Sequence, residues 1–334
     1  MSTETAAAAP RRVTWRPQSA GDAMTAILIA AVVVFVAQFA VRRLTSDATQ
    51  FLTILLNGLT LGALYFLVAS GFTLIFGLMR VTNMAHGAFY LLGGYIGFQV
   101  SDATGSWVLG LVAATVAIAV LGVAVQQILL RRIQGEELRE ALITIGLAIV
   151  IADQCLAYWG GSPRDISVPS ALSGAKELGV AGLTYPTYRL FVLILAIALG
   201  IGLWVLLRRT KLGITIRAGV DDRRMVAALG VNVQVVFAVV FALGAALVGF
   251  SGVAGGSYLS IAPGEDGRYL LFSLIVVIVG GMGSITGAAL GAAVVGVVDQ
   301  FAAVYVPTYS VLLTFGVMVL VLALRPQGLL GRPA

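Results

Sequence analysis

The feature that most constrains this chain is a succession of ten long apolar runs with mostly short gaps between them. They lie at about 24–41, 51–79, 86–100, 107–130, 141–159, 190–207, 236–256, 269–280, 285–303 and 311–324. A membrane-spanning helix takes about 20 apolar residues. Of the 334 residues, 59% are hydrophobic and 11% charged, whereas an ordinary soluble domain carries roughly 25% charged residues. A soluble fold would lack the polar surface to cover such a core. The sequence therefore predicts an all-α, polytopic transmembrane helical bundle of about ten crossings with interrupted helices. Forty glycines suit it, because they let helix backbones approach closely in lipid.

Residues 1–20 mix Ala, Thr, Ser, Pro and Arg and read as a disordered tail ahead of a transmembrane domain over 21–331. The run 24–41 reads as a retained helix rather than a signal peptide. It is long, and Arg42 and Arg43 follow it without an A-x-A cleavage site.

Basic residues in the loops set orientation. With the N-terminus inside and ten crossings, 15 of the 21 Lys and Arg residues fall on the cytoplasmic side. If 51–79 were two short crossings, the N-terminus would lie outside and the bias would nearly vanish. In both versions 208–235 is cytoplasmic and 160–189 is an outer loop.

Two places break the helical pattern. Residues 269–303 are too few for two full crossings and hold Gly280-Gly281-Met282-Gly283-Ser284 in their middle. A short or half-crossing helix, a turn and a second helix are expected there. The stretch Gly77 to Gly87, GLMRVTNMAHG, interrupts two earlier runs in a similar way. The segments IFGLMRVTNMAHGAFYLLGGYIG (75–97) and IVGGMGSITGAALGAAVVGVV (278–298) can be laid side by side. Repeated interrupted helices point to a transport pathway.

No enzyme signature is present. There is no P-loop, no H-E-x-x-H and no G-x-S-x-G, and His86 is the single histidine. The net charge of +6 comes from loop arginines, which argues for lipid contact and against nucleic acid. Asp153 and Asp299 are the only acids well within apolar runs, and each reads as a helix-end residue reaching the headgroups. Cys155 reads as a small buried hydrophobe. A chain without its own energy source fits a passive channel, or a pump driven by a separate ATPase, better than an ion-coupled carrier. The segment RRTKLGITIRAGVDDRRMVAALGVNVQV (208–235) favours the pump. A short helix is expected from about Asp221 to Leu229, capped by Asp221 or Asp222 and ended by Gly230 with Asn232. Such a helix gives a soluble motor something to push.

The block NGLTLGALYFLVASGFTLIFGLMRVTNMAHGAFYLLGGYIG (57–97) closely resembles the first block of the LivH-type permeases of branched-chain amino acid ABC importers. Three further stretches match in order: the cytoplasmic GITIRAGVDDRR…ALGVN, then VVIVGGMGSITGAALGA, then RPQGLLG. The resemblance covers about 51–331. It implies a type II-like ABC importer permease in a bacterial inner membrane, carrying branched-chain or related amino acids. Its partners would be a second permease subunit, two cytoplasmic ATPases and a periplasmic solute-binding protein. No cofactor is expected in this chain, and ATP and Mg belong to the ATPases. Importers of urea, short amides or aromatic acids share the family and remain alternatives. The family's R-E-A-A-x-x-x-G-I-N loop is altered here: Arg224, Met225 and Val226 stand where the glutamate and alanines would be.

Candidate residues follow. Arg217, Asp221, Asp222, Arg223, Arg224, Gly230 and Asn232 would form the ATPase-coupling loop. Asn57, Asn83, His86, Gly280, Gly281 and Gly283 would lie at the pathway or gate. Asn83 can cap the helix that His86 opens, and Asn57 needs an interhelical partner. Arg164, Asp165, Glu265 and Asp266 would dock a binding protein, with Lys176 and Glu177 in the same outer loops.

Overall fold

The computed structural model describes residues 48–179, 182–221, 225–226 and 229–331. The tail 1–20 and the apolar run 24–41 lie outside the described residues. The chain divides into a unit 1–52, of which the described residues 48–52 are helical, and a unit 53–334 that holds the bundle.

Every remaining apolar run is a helix. α1 (Ala48–Phe72) continues into a π-turn (Thr73–Leu78). This single helix excludes two short crossings over 51–79. Then come α2 (His86–Thr104), α3 (Trp107–Ile128), α4 (Glu137–Trp159) and α5 (Thr187–Arg209). A short helix follows, α6 (Lys211–Asp221), and then α7 (Val233–Leu259). The chain closes with α8 (Glu265–Gly280), α9 (Ile285–Tyr305) and α10 (Ser310–Leu324). Lipid offers no partner for backbone polar groups, so helices are the form these runs take. Among the described residues, 7 helices are long and apolar enough to cross a membrane by themselves. α2 falls outside this set through its polar residues and α8 through its length. At 16 residues, α8 spans about 24 Å against a hydrocarbon thickness of about 30 Å. The expectation of a short helix there is met.

α2, α3 and α7 form the densest packing, with α1 against α7 and α9. Small residues set the spacing. A methyl group at Gly62 of α1 would stand 2.6 Å from the Ala292 carbonyl oxygen of α9, and one at Gly93 of α2 would stand 2.7 Å from the Gly249 Cα of α7. Four residues along from Ala292, Gly296 sits against Gly62. This small-xxx-small pattern lets dispersion hold helices that no hydrophobic force drives together in lipid. Leu109, Val116, Val120, Ile194, Ile197 and Leu312 point outward as a lipid-facing skin. The loop 160–189 carries a two-stranded antiparallel hairpin, β1 (Ala175–Glu177) with β2 (Thr184–Pro186).

Candidate functional site

The two breaks read from the sequence touch one another. A methyl group at Gly77, in the π-turn, would stand 2.6 Å from both the Cα and the N of Gly283. Gly283 has φ +76 and Gly281 has φ +103, backbone that a side chain would strain. Ser284 caps α9, its Oγ accepting from the Gly287 N–H at 3.0 Å. The C-terminal segment closes the other side. The Leu329 N–H donates to the Val279 carbonyl at 2.8 Å and the Leu330 N–H to the Gly280 carbonyl at 3.0 Å. Two carbonyls at the end of α8, which the helix itself leaves unpaired, are satisfied this way. Gly280 packs on Gly287, joining α8 to α9.

Around the first break, Asn83 is fully buried and its Oδ1 accepts from the Ala85 N–H at 3.1 Å. It closes a turn ahead of α2 rather than bonding inside the first helical turn. Its Nδ2 has no protein partner. His86 opens α2, as expected, and is fully buried. Its Nε2 donates to the Val68 carbonyl of α1 at 3.0 Å, and its ring meets Phe72 edge-on at 5.1 Å. These contacts fasten α2 to α1.

Sequence reasoning missed Glu140 and Thr144. Glu140, in the first turn of α4, is fully buried. Its carboxylate accepts from the Thr82 N–H at 3.1 Å and from the Gly135 N–H at 3.0 Å. The Thr144 hydroxyl accepts from the Met84 N–H at 3.0 Å and donates to the Glu140 carbonyl at 2.7 Å. The irregular backbone at 82–84 is therefore satisfied by two α4 side chains one turn apart. Glu140 reads in sequence as an ordinary first-turn acid. The available signal was the polar pair at i and i+4 entering an apolar run.

The segment 208–235 holds one element beyond those expected. Ahead of the expected helix, a helix that the sequence reading did not place, α6, runs from Lys211 to Asp221. Its buried residues, Gly213, Ile216 and Gly219, recur every third position and form one face. α6 packs against the π-turn and α7. On α6, the Arg217 Nε donates to the Gly213 carbonyl at 3.3 Å. Asp222, Arg223 and Arg224 lie outside the described residues. Met225 and Val226 are helical, and Gly230 turns the chain with φ +83, as expected. Asn232 begins the next helix instead of ending the previous one. Its Oδ1 accepts from the N–H groups of Gln234 at 3.1 Å and Val235 at 3.3 Å, capping α7.

The Arg189 guanidinium of α5 donates to Asn57 Oδ1 of α1, giving that amide the interhelical partner lipid demands. Arg189 also lies 5.0 Å from the centroid of the Tyr258 ring. Arg164 and Asp165 are exposed, and Arg164 bridges by backbone to Ile261. Lys176 and Glu177 lie on the exposed strand β1.

Glu265 and Asp266 lie deeper than an outer rim. Tyr95 of α2 stacks on Trp159 at 4.9 Å, so the two share a level. Gly87 comes eight residues before Tyr95, about 12 Å along the helix, and packs directly on the Asp266 carbonyl. α8 therefore starts about 12 Å along α2 from the Tyr95–Trp159 stack. Glu265 meets Arg268 at 3.5 Å. Asp299 likewise departs from the headgroup reading. It is 8% exposed, accepts from the Tyr65 hydroxyl of α1 at 2.8 Å, and takes a longer bond, 3.4 Å, from Thr314 of α10. Cys155 is buried, as expected.

Residues 54–322 match the family profile described as branched-chain amino acid transport system / permease component. The chain belongs to this permease family. Among relatives, it is 30% identical over 299 residues to the high-affinity branched-chain amino acid transport system permease protein LivH of Escherichia coli K12, covering 85% of this chain and 96% of that protein. LivH of Salmonella typhimurium LT2 is 29% identical over 298 residues, with 85% and 96% covered. LivM of E. coli K12 is 29% identical over 300 residues, covering 81% of this chain and 68% of that protein. No solved structure matches the chain. The permease is thus a multi-pass membrane protein whose interrupted helices meet at Gly77 and Gly283 and whose short helix α6 rests on the same π-turn.

Proposed function

We propose that this permease moves branched-chain or closely related amino acids inward across a bacterial cytoplasmic membrane, as one half of a permease pair in an ATP-driven importer. One observation carries the reading: α6 packs on the π-turn, and the π-turn packs through Gly77 on Gly283. A push on α6 from the cytoplasm reaches the π-turn it packs on, and the Gly77–Gly283 backbone contact passes it to the second interrupted helix. Packed elements of this kind shift between discrete arrangements rather than deform.

In this reading two cytoplasmic ATPases grip the segment from Arg217 through Asp221, Asp222, Arg223 and Arg224 to Gly230 and Asn232. Asn57, Asn83, His86, Gly280, Gly281 and Gly283 frame the path, and Asn83 keeps a free buried amide there. A periplasmic solute-binding protein docks at the exposed Arg164 and Asp165, where charge sets encounter rate more than affinity. The similarity to both LivH and LivM supports a pair of related permeases. The printed names of those relatives supply the solute class.

The test is reconstitution of the complete transporter in vesicles. Leucine uptake should require ATP, both ATPases and the binding protein. Reversing Arg217, Arg223 and Arg224 to Glu should abolish uptake and ATPase recruitment while the permease pair still assembles. Leucine uptake by the purified chain alone, without ATP, would overturn the proposal.

A further inference from the structure

A groove of about 460 Å³ runs between α1, α5 and α9. Its floor is buried and apolar: Gly62, Ala63 and Phe66 of α1 with Ala196 of α5. Ile197 and Ile201 of α5, 56% and 58% exposed, form a rim. Leu193, Ile197, Ile201 and Trp204 recur at three to four residues, so they share one face of α5. From Leu193 to Trp204 that face extends for 11 residues, about 16 Å. The hydrocarbon core is about 30 Å thick. The groove therefore has the length of one leaflet, which suits an acyl chain. A helix crossing beside it would need a face about twice as long.

The apolar face ends in charge. One turn beyond Trp204, the Arg208 guanidinium lies 5.8 Å from the centroid of the Trp204 ring, and Arg209 and Lys211 follow. All three are exposed, and among the described residues none has an ion-pair partner. Tryptophan favours the level of the lipid headgroups, and basic residues beside it attract anionic ones. One face thus offers an apolar channel of leaflet length, an interfacial ring and unpaired cations, in that order. We propose that the groove holds an acyl chain of an anionic phospholipid whose phosphate is bound by Arg208, with Arg209 and Lys211 adding charge. The lipid belongs to the leaflet on the Arg208 side, which is the cytoplasmic one in the importer reading. Because α6 begins at Lys211, the headgroup also anchors that helix at the membrane surface. The lipid site does not depend on which solute the permease carries.

The experiment places the complete transporter in phosphatidylcholine vesicles and reads quenching of Trp204 fluorescence by lipids brominated in the acyl chain. Subtracting the signal of a Trp204→Phe variant isolates this ring. Brominated phosphatidylglycerol at low mole fraction should quench Trp204 far more than the same fraction of brominated phosphatidylcholine. Each basic residue near the surface is worth about fivefold. Arg208→Gln with Arg209→Gln should therefore weaken the preference about 25-fold and leave quenching by phosphatidylcholine unchanged. Ala289→Phe adds a ring to an exposed position that lines the groove and alters no charge. It should also remove the preference. Equal quenching by the two brominated lipids, a preference that survives either variant, or absence of quenching by both would each overturn the site. Absent quenching would mean that a protein helix, the partner permease's or this chain's own, covers the groove.

Discussion

Replacing Gly77 by Ala tests whether the two breaks meet as described. The added methyl would stand 2.6 Å from the Cα and N of Gly283, about 0.8 Å short of an ordinary 3.4 Å contact. Both obstructing atoms are backbone, in a turn tied by the Ser284–Gly281 bond and by the Ser284 cap. No side chain can swing aside, so the helix ends themselves must separate. Overpacking of this kind costs about 1–3 kcal/mol. Alanine also returns up to about 1 kcal/mol of helix propensity, which would mask part of the loss. Gly146→Ala is the control, because Gly146 lies within α4, is exposed, and has nothing within 4 Å of a new methyl. It should stabilise by the propensity gain alone. The difference between the variants isolates the clash, about 1–3 kcal/mol. Thermal unfolding of the detergent-solubilised transporter supplies the ranking, and ATP-driven uptake supplies the functional readout. Gly77→Ala should unfold at a lower temperature than Gly146→Ala and transport more slowly. If the two variants are equally stable and equally active, the contact between breaks is absent and the coupling argument built on it fails.

Glu140→Leu should destabilise by about 1–3 kcal/mol for each of the two N–H donors it orphans, with Glu140→Gln losing less, read by thermal unfolding. Asp299→Ala and Tyr65→Phe should fail to add, with a coupling of about 1–3 kcal/mol in a double-mutant cycle, because one bond is removed by either change. Asn232→Ala should cost about 1 kcal/mol through loss of the α7 cap, while Asn232→Asp should be tolerated; equal stability of the Ala and Asn forms would refute the cap.

Much of this permease was legible in the linear order of residues. Runs of 20 apolar residues become helices because lipid leaves their backbones no other partner, and nine of the ten runs are helices among the described residues. Gly280 to Ser284 announced a turn through glycine alone, and Asn57 announced an interhelical bond through the cost of an unpaired amide in lipid. The helix α6 was not legible, because it carries its buried Gly213, Ile216 and Gly219 where the eye follows charge instead.

Tertiary packing decided what the order of residues leaves open. Glu140 and Thr82 are 58 positions apart, and Tyr65 and Asp299 are separated by 234. Local patterns carry no sign of such pairings. Each depends on which helix faces which, and that is set by where small residues let backbones touch. Helix depth is undetermined in the same way. An acid at the start of an apolar run reads as a surface residue until Gly87 is seen against Asp266, which sets the start of α8 about two turns of α2 from the Tyr95–Trp159 stack. Composition and period thus determine that these segments are helices in lipid. Steric fit between glycine backbones and the need to satisfy buried polar groups determine how the helices meet, and so where a path and its control can lie.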